Sequence, residues 1–353
     1  MNWKNEITEA LRIDYPIVQA PMLGVTTPAM VAQIANAGGL GSLPVGGLSP
    51  DKTLELIRRT RERTDRPFAV NLFAHGIPEP RQGEVQEMKS FLVRLCAQYG
   101  LPFAEKDFEP FRFYSYREQI GILLQEQVPI VSFTFGNLDE ESIQALKAKG
   151  TVLIGTATST QEALLLEEKG IDIITAQGIE AGGHRGTFLD EGPLPQVGLV
   201  SLLTGITSRT RKPVLAAGGI CDGPTAKAAF IMGAKGLQIG TAFIASDESA
   251  AIPAYKEALA HAADTDTALT RAFSGRWARG LRNRFMDEVE RSGLAIPAYP
   301  VQNSLVAKIR LLSQAQNNKE LTTLWAGQSA ARAKALPAAM IFRDLIKEVE
   351  ELQ

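Results

Sequence analysis

The stretch PVLAAGGICDGPTAKAAFIMGAKGLQIGTAF, residues 213–243, decides the fold. Its two short, mostly apolar runs, 213–217 and 236–240, predict β-strands. The segment between them predicts a helix that begins at Asp222-Gly223-Pro224 and ends at Gly233. The runs do not alternate between apolar and polar residues, which is typical of strands buried on both faces. The stretch therefore predicts one strand–helix–strand unit of a parallel sheet covered by helices.

The same unit recurs along the rest of the chain. Eight strands that each precede helical sequence predict an α/β fold, the (β/α)8 or TIM barrel, with an open doubly wound sheet as the competing topology. Similar strand lengths, and the absence of a pair that looks like a sheet edge, favour the closed barrel. The further predicted strands are 16–20, 39–43, 67–72, 129–134, 151–155 and 171–175, and helices are predicted to start at Thr27-Pro28, Ser49-Pro50, Asp139 and Ser159.

Two stretches are longer than the connections of a minimal barrel require, and they define the domain prediction. Residues 1–250 are predicted to form the barrel, with an aromatic-rich insert at about 75–125. Residues 251–325 are predicted to form a mainly helical subdomain over one mouth, and 326–353 a segment and helix that return to the barrel. Ile341, Leu345 and Val349 recur at i,i+4 spacing on that last helix. Their apolar face could pack on the barrel or support a homodimer.

Composition excludes several classes of function. The 353 residues carry 37 basic and 39 acidic side chains, a formal net charge of -2, so we expect neither nucleic-acid binding nor attachment to an anionic membrane. Two distant cysteines, Cys96 and Cys221, and only three histidines make a disulfide or a metal cluster improbable. The N-terminus does not resemble a signal peptide and no apolar run is long enough to span a bilayer, so we expect a cytoplasmic protein.

The residues that follow the predicted strands are rich in glycine, amide and hydroxyl groups and poor in charge. Because a barrel places its active site at the carboxyl ends of its strands, these residues predict a site for a polar, uncharged ring with a phosphate tail. The phosphate signal consists of Gly218-Gly219 and Gly240-Thr241, two bends whose amides, with a helix N-terminus, would stabilise an anion. The alternative is that they are only tight turns.

The segment AQGIEAGGHRG, residues 176–186, is the second signal. It carries His184, the only histidine beside a predicted strand end, which could act as a base or hydrogen-bond an anionic substrate. A purely structural histidine is the alternative, as it is for His75 in a loop and His261 on a surface helix. Glu180 and Arg185 are candidates for a structural ion pair. SGRWARG, residues 274–280, predicts either an anion-binding loop or a surface turn.

Taken as a set, these motifs resemble nitronate monooxygenases, formerly called 2-nitropropane dioxygenases, and most closely their class I group. The motifs are QAPM (19–22), NLF (71–73), AQGIEAGGHRGTF (176–188), AAGGI (216–220), LQIGTAF (237–243) and SGRWARG (274–280), which occur in this order over most of the chain. The resemblance implies an FMN-binding TIM barrel with a helical second domain. It also implies a reaction in which an alkyl nitronate and O2 give a carbonyl compound and nitrite.

The resemblance also implies roles for particular residues. His184 matches the catalytic histidine, and WAG at 325–327 with Gln328 is similar to a C-terminal segment that returns to the flavin. No metal is implied. The implied FMN-binding residues are Pro21, Met22, Asn71, Gln177, Gly182, Gly183, Gly218, Gly219, Gln238, Ile239, Gly240 and Thr241.

Three rival interpretations remain at this point. One is a related FMN barrel reductase that uses NAD(P)H, of the enoyl-acyl-carrier-protein reductase or NADH:quinone reductase type. Another is a non-catalytic barrel that binds a phosphorylated ligand. A metal-dependent aldolase-type barrel is disfavoured, because clustered carboxylates, histidines and a strand-end lysine are lacking.

Overall fold

The computed structural model describes residues 2–189 and 194–352. Its strands are β1 Ile17–Gln19, β2 Ser42–Pro44, β3 Ala69–Phe73, β4 Ile130–Thr134, β5 Val152–Ala157, β6 Ile173–Gln177, β7 Gly183–His184, β8 Val214–Ala217, β9 Gly236–Ile239, β10 Thr267–Thr270 and β11 Ala278–Leu281. Its helices are α1 Glu6–Leu11, α2 Pro28–Asn36, α3 Pro50–Arg61, α4 Gln82–Gln98, α5 Tyr116–Gln125, α6 Glu140–Ala148, α7 Thr160–Glu168, α8 Leu199–Thr207, α9 Gly223–Ile231, α10 Pro253–Ala260, α11 Arg284–Ser292, α12 Val301–Leu305, α13 Ala307–Ala315 and α14 Ala338–Glu351.

Eight parallel strands form the barrel, in the order β1-β9-β8-β6-β5-β4-β3-β2. The ring closes between β1 and the segment before β2, where a parallel bridge joins Val18 to Leu40. There the Gln19 amide donates to the Leu40 carbonyl at 2.9 Å, and the Leu40 amide donates to the Ile17 carbonyl at 3.0 Å. The (β/α)8 prediction is thereby confirmed, and each of the eight predicted strands overlaps an observed one.

Local sequence explains where the helices begin. Thr27, Ser49, Asp139 and Ser159 each act as an N-cap whose side chain accepts a hydrogen bond from a first-turn amide. A capping side chain of this kind stabilises a helix by about 1 kcal/mol, because it satisfies an amide that has no partner within the helix. The helix starts predicted from these residues are therefore confirmed.

The lower end of the barrel is filled by apolar side chains. Ile7 and Leu11 on α1 pack with strand residues that include Val18, Ile173 and Leu215, and all five are almost fully buried. Helix α1 therefore plugs the amino-terminal mouth of the barrel, and only the carboxyl ends of the strands are left to hold a site.

The segment after β9 is mainly helical, but it also contains two strands that the sequence did not predict. It contains α10 to α13, but strands β10 and β11 form an antiparallel hairpin, and β11 also pairs with β7. The pairing of Ala278 with His184 ties the barrel loop to the hairpin. The two threonines of TALT at 267–270 were the local signal for a strand, because β-branched residues favour strands.

A second hydrophobic core joins this segment to the insert. Met88 and Leu92 of α4 pack with Phe273, Phe285 and Val301 from the region after β9. We call this unit, formed by residues 82–113 and 267–325, the cap. The insert therefore contributes to the same core as the subdomain, although the sequence placed it in the barrel domain.

The C-terminal helix completes the outer layer of the barrel. Helix α14 packs between α9 and α2. Its face of Ile341, Leu345 and Val349 is 5%, 6% and 2% exposed. That face is buried within the chain, so it is not available as a homodimer contact. Among the described residues, no helix combines the length and the hydropathy that a membrane crossing requires.

Candidate active site

A cavity of about 430 Å³ lies between the carboxyl ends of the barrel strands and the cap. Its volume suits a small-molecule ligand or cofactor. The sequence-predicted residues converge here from β1, β3, β6, β8 and β9 and the loops that follow them. The lining includes Pro21, Met22, Asn71, Gln177, Gly182, Gly183, His184, Gly218, Gly219, Gln238, Ile239, Gly240 and Thr241.

The two glycine bends line this cavity, and their backbone amides are candidate hydrogen-bond donors. Gly218 and Gly219 have φ of +117° and +69°, a backbone that favours glycine. Within the described residues, the amides of Gly218, Gly219, Gly240 and Thr241 donate to no acceptor. Buried amides are nearly always paired, so a cluster of unpaired amides indicates a site for an anion.

The helix that follows the first bend does not add to this donor set. The Asp222 side chain accepts from the Thr225 amide at 3.0 Å, and the Glu348 carboxylate accepts from the Gly223 amide at 2.8 Å. The N-terminus of α9 is therefore capped by carboxylates of the chain itself. The expectation that this terminus would hold the anion is wrong, and the bend amides remain as its donors.

The two amide side chains at the strand ends are already partly engaged. Gln177 donates through Nε2 to the His184 carbonyl at 3.0 Å and accepts through Oε1 from the Gly186 amide at 2.8 Å. Asn71 donates through Nδ2 to Ser132 Oγ at 3.0 Å. The two hydrogen bonds of Gln177 therefore link the end of β6 to the loop that contains His184. Gln177 also lines the cavity.

Gly182 has a structural reason to be glycine. A Cβ at Gly182 would stand 2.5 Å from both the Ala326 carbonyl carbon and the Gly327 nitrogen. The 325–328 segment crosses here, and the Gly327 amide donates to Thr241 Oγ1 at 3.0 Å. The C-terminal segment therefore does return to the predicted site.

His184 is held on short strand β7 against the hairpin of the cap. Its Nε2 lies 2.8 Å from Ser274 Oγ, in the motif that was predicted as an anion loop or a surface turn. Ser274 is 1% exposed, so this motif is not a surface turn. Burial, then the nearby Arg276 and Arg310, lower the pKa of His184 from 6.5 to about 3. The imidazole is therefore neutral near pH 7.

Aromatic rings that the sequence did not single out surround His184. Phe135, Tyr299 and Trp325 have ring centroids 5.5, 6.0 and 5.4 Å from the imidazole. They come from the end of β4, the start of α12 and the C-terminal segment, so no local motif unites them. Phe135 adopts a φ of +76°, which is rare for a bulky residue and consistent with a functional constraint. His75 lies in its predicted loop and contacts Tyr299 at 4.7 Å.

One arginine, Arg310, lines the upper part of the cavity, and a second, Arg276, lies beside it against Phe135. The Arg276 guanidinium lies 4.2 Å from the Phe135 ring centroid. Arg310 on α13 lines the cavity and donates to the Asn303 carbonyl at 3.3 Å. Burial lowers its pKa to about 10, and no carboxylate in the described part of the chain lies within salt-bridge distance of it. A half-buried cation without a carboxylate partner favours an anionic ligand.

Glu180 and Arg185 do not form the ion pair that the sequence suggested. The Glu180 carboxylate accepts from the Leu199 amide at the start of α8, at 2.8 Å. Arg185 is 1% exposed and donates to the carbonyls of Gly178 and Gln177 at 2.6 and 2.9 Å. Both side chains therefore hold the loop around His184 in shape.

His261 is exposed at the end of α10, as predicted. Across residues 2–189 and 194–352 no group of three or more histidine, cysteine, aspartate or glutamate side chains is placed to hold a metal ion.

A closed (β/α)8 barrel with a half-buried histidine in a cavity above its strand ends defines the class: a barrel enzyme with its active site at this mouth. The nitronate monooxygenase family model matches residues 4–349. A probable nitronate monooxygenase of Staphylococcus aureus strain JH9 is 39% identical over 350 residues, covering 99% of this chain and 98% of its own. The chain therefore belongs to the nitronate monooxygenase family and is an oxidoreductase.

Solved structures agree with this assignment. Nitroalkane oxidase from Streptomyces ansochromogenes superposes with a TM-score of 0.89 at 38% identity, over 98% of both chains. FabK from Thermotoga maritima superposes with a TM-score of 0.77 at 30% identity, over 99% of this chain and 96% of its own. The similarity therefore covers the barrel and the cap together.

Proposed function

We propose that this protein is an FMN-dependent nitronate monooxygenase, which oxidises alkyl nitronates such as propionate 3-nitronate with O2 to a carbonyl compound and nitrite. One observation carries the proposal. Two neighbouring bends, whose amides have no partner among the described residues, and a half-buried, neutral histidine line the same cavity. The bends suit the anionic tail of a cofactor, and the histidine lies where a substrate would meet the cofactor.

The residues present fit FMN. The amides of Gly218, Gly219, Gly240 and Thr241 would hold its phosphate, because hydrogen bonds from amides to a charged acceptor are among the stronger ones in proteins. Backbone at Pro21 and Met22 and the side chains of Asn71, Gln177 and Gln238 would border its ring, with Gly182, Gly183 and Ile239 completing the wall. When bound, the flavin supplies the redox chemistry, taking electrons from the nitronate and passing them to O2.

The charge of the cavity supports an anionic substrate. Arg276 and Arg310 both act on His184 electrostatically and lower its pKa, so a nitronate placed near the imidazole would lie in the same positive field. The rings of Phe135, Tyr299 and Trp325 surround His184 with apolar surface, and a lower local dielectric strengthens electrostatic attraction. The chain therefore binds and orients a small anion above the ring.

His184 has a different task for each kind of substrate. A nitronate is already an anion, so no proton has to leave its carbon. A neutral nitroalkane must first lose a proton from carbon, and a neutral imidazole can accept it. We therefore assign His184 as the general base for nitroalkanes. For nitronates, His184 is only one of the residues that line the binding site.

Composition supports a cytoplasmic setting and small-molecule partners only. The net charge of -2 offers no electrostatic surface for nucleic acid or an anionic membrane. Cys96 and Cys221 are both free, as expected for a reducing compartment.

The test is a visible spectrum of the purified protein, followed by anaerobic titration with propionate 3-nitronate and, separately, with NADH. We expect a yellow protein whose flavin is bleached by the nitronate and keeps its colour with NADH. Rapid bleaching by NADH alone would identify the NAD(P)H-dependent reductase instead, and a colourless protein that takes up no FMN would indicate a non-catalytic barrel.

A further inference from the structure

We infer that the C-terminal segment of residues 325–329, which we call the strap, completes the anion site at the barrel rim. Its Gly327 amide orients the Thr241 hydroxyl toward the anion, and its Ser329 hydroxyl holds the Gly218-Gly219 bend. The contacts belong to the chain alone, whereas the identity of the anion as the FMN phosphate rests on the proposed function.

The strap contacts both glycine bends. The Gly327 amide donates to Thr241 Oγ1 at 3.0 Å, which ties the strap to the bend after β9. Ser329 Oγ donates to the Gly219 carbonyl at 3.2 Å, which ties it to the bend after β8. Gly327 and Ser329 both line the cavity. The strap therefore forms a third wall of the site that the two bends define.

Close backbone contact fixes the position of the strap. The Gln328 amide donates to the Glu180 carbonyl at 3.0 Å, and a Cβ at Gly327 would stand 2.7 Å from that carbonyl oxygen. A Cβ at Gly182 would stand 2.5 Å from the Gly327 nitrogen. Because both positions are glycine, the strap and the loop after β6 can approach this closely. The Gly327 amide therefore has a defined position above the rim.

The strap decides the direction of the single hydroxyl proton of Thr241. The Gly327 amide can only donate, so Thr241 Oγ1 is the acceptor in that contact. The hydroxyl proton must then go to another group, and within residues 2–189 and 194–352 Thr241 Oγ1 donates to no acceptor. Thr241 lines the cavity. Its hydroxyl therefore adds a side-chain donor to the bend amides.

Ser329 has a different task, because its proton is already used within the chain. The bend that it contacts has φ of +117° at Gly218 and +69° at Gly219, and glycine has more backbone freedom than other residues. A hydrogen bond to the Gly219 carbonyl restricts that freedom before a ligand binds, which lowers the entropic cost of binding. Ser329 is therefore a positioning residue for the bend.

The combined donor set suits a phosphate better than a neutral group. A phosphate has several terminal oxygens that each accept hydrogen bonds, and hydrogen bonds to a charged acceptor are stronger than those to a neutral one. The Thr241 hydroxyl and the bend amides are donors of this kind. We therefore expect the strap to contribute to the preference for a phosphorylated flavin over an unphosphorylated one.

The test is fluorescence titration of the apoprotein with FMN and with riboflavin, which lacks the phosphate. Thr241→Val keeps the size of the side chain and removes the hydroxyl. We expect its affinity for FMN to fall roughly 10- to 100-fold, the loss of one hydrogen bond to a charged group, and its affinity for riboflavin to change less than about 2-fold. Thr241→Ser retains the hydroxyl and should bind FMN as the wild type does.

A matched control is Thr175→Val. The Thr175 hydroxyl is buried, has no hydrogen-bond partner in the described part of the chain and lies outside the cavity lining. We expect neither flavin affinity to change in this variant. Ser329→Ala should lower the ratio of FMN to riboflavin affinity roughly 3- to 10-fold, less than Thr241→Val, because the bond that it removes is to a neutral carbonyl.

Equal losses of FMN and riboflavin affinity in Thr241→Val, or no loss of either, would overturn the inference. If the wild type binds neither flavin, calorimetric titration with inorganic phosphate separates the two proposals. Phosphate binding that Thr241→Val weakens would refute the proposed function and support the role of the strap. A protein that binds neither flavin nor phosphate would overturn both.

Discussion

The glycine bends at the barrel rim and the cap above them build opposite ends of one cavity in different ways. At the rim, Gly218-Gly219 and Gly240-Thr241 offer main-chain amides from the ends of two adjacent strands. The cap offers side chains, among them Tyr299, Arg310 and Trp325, from separate segments. Under the proposed function, backbone shape would determine the end that binds the cofactor, and side-chain identity would determine the end that binds the substrate.

This difference has a consequence for how the two ends respond to substitution. A cofactor held mainly by amides tolerates many changes of side chain and fails chiefly when the backbone is altered. Under the proposed function, a substrate held by the imidazole of His184 and the guanidinium of Arg310 would be lost or exchanged by single side-chain changes, without movement of the cofactor. The proposed function therefore predicts that cap and rim variants will have separable defects.

The largest separable effect is expected at His184. For His184→Asn, kcat/KM with neutral nitroalkanes should fall about 10²- to 10⁴-fold, the usual contribution of a general base. Oxidation of the corresponding nitronates should change little, and flavin content should match the wild type. Steady-state kinetics with nitroethane and ethyl nitronate measure both. Equal loss on both substrates with flavin retained would refute this division of roles.

At the rim, Gly219→Ala should weaken FMN binding roughly 10- to 100-fold, since a hydrogen bond to a charged group contributes about 1.5–3 kcal/mol. A Cβ here has only Glu180 within 4 Å, so it would stand in the cavity. Gly100→Ala is the matched control, because its φ of +67° is close to the +69° of Gly219 and its surroundings are open.

Both glycine variants should lose similar stability from backbone strain, about 1–2 kcal/mol, and only Gly219→Ala should lose flavin. Fluorescence titration of the apoprotein with FMN measures the difference. If both variants bind FMN equally well, the bends are not the phosphate site.

Burial of a neutral His184 makes stability depend on pH. Its pKa is 6.5 in the unfolded chain and about 3 in the folded one, so the unfolded state binds more protons between these values and stability falls as pH falls. At pH 5 the cost is about 2 kcal/mol. Urea unfolding at pH 7 and pH 5 should show this loss in the wild type and less of it in His184→Gln. The exposed His261→Gln should behave as the wild type does.

The smallest effect is expected for Arg310 of the cap, which has no salt-bridge partner among the described residues. Arg310→Met should raise KM for propionate 3-nitronate roughly 10-fold, because a buried charge-assisted contact is lost, and should leave FMN binding unchanged. Arg291→Met is the control, because Arg291 is 68% exposed on α11 and forms only surface ion pairs. An unchanged KM in Arg310→Met would remove Arg310 from the substrate site.

Local sequence signals sufficed for much of the barrel. Apolar runs marked the eight strands, and N-caps such as Thr27 and Asp139 marked helix starts, because burial on both faces and capping are decided within a few residues. The two bends were also visible, since a positive φ at Gly218 and Gly219 requires glycine.

Other features could not be predicted from short stretches of sequence. The hairpin β10–β11 was taken for helical sequence, and its pairing with β7 joins residues about ninety positions apart. The cap core likewise unites the insert with the segment after β9.

By itself, then, the sequence determined the strand–helix repeat, the mouth that carries the site and the rim that offers amides. Only the tertiary structure decided the partner of His184, the aromatic rings around it and the capping of α9 by Glu348. It also decided that Arg310 has no carboxylate beside it among residues 2–189 and 194–352. The physical reason is the distance along the chain over which each property is determined. Backbone conformation and capping depend on neighbours along the chain, whereas the polarity and protonation of a buried group depend on whatever the whole fold places around it.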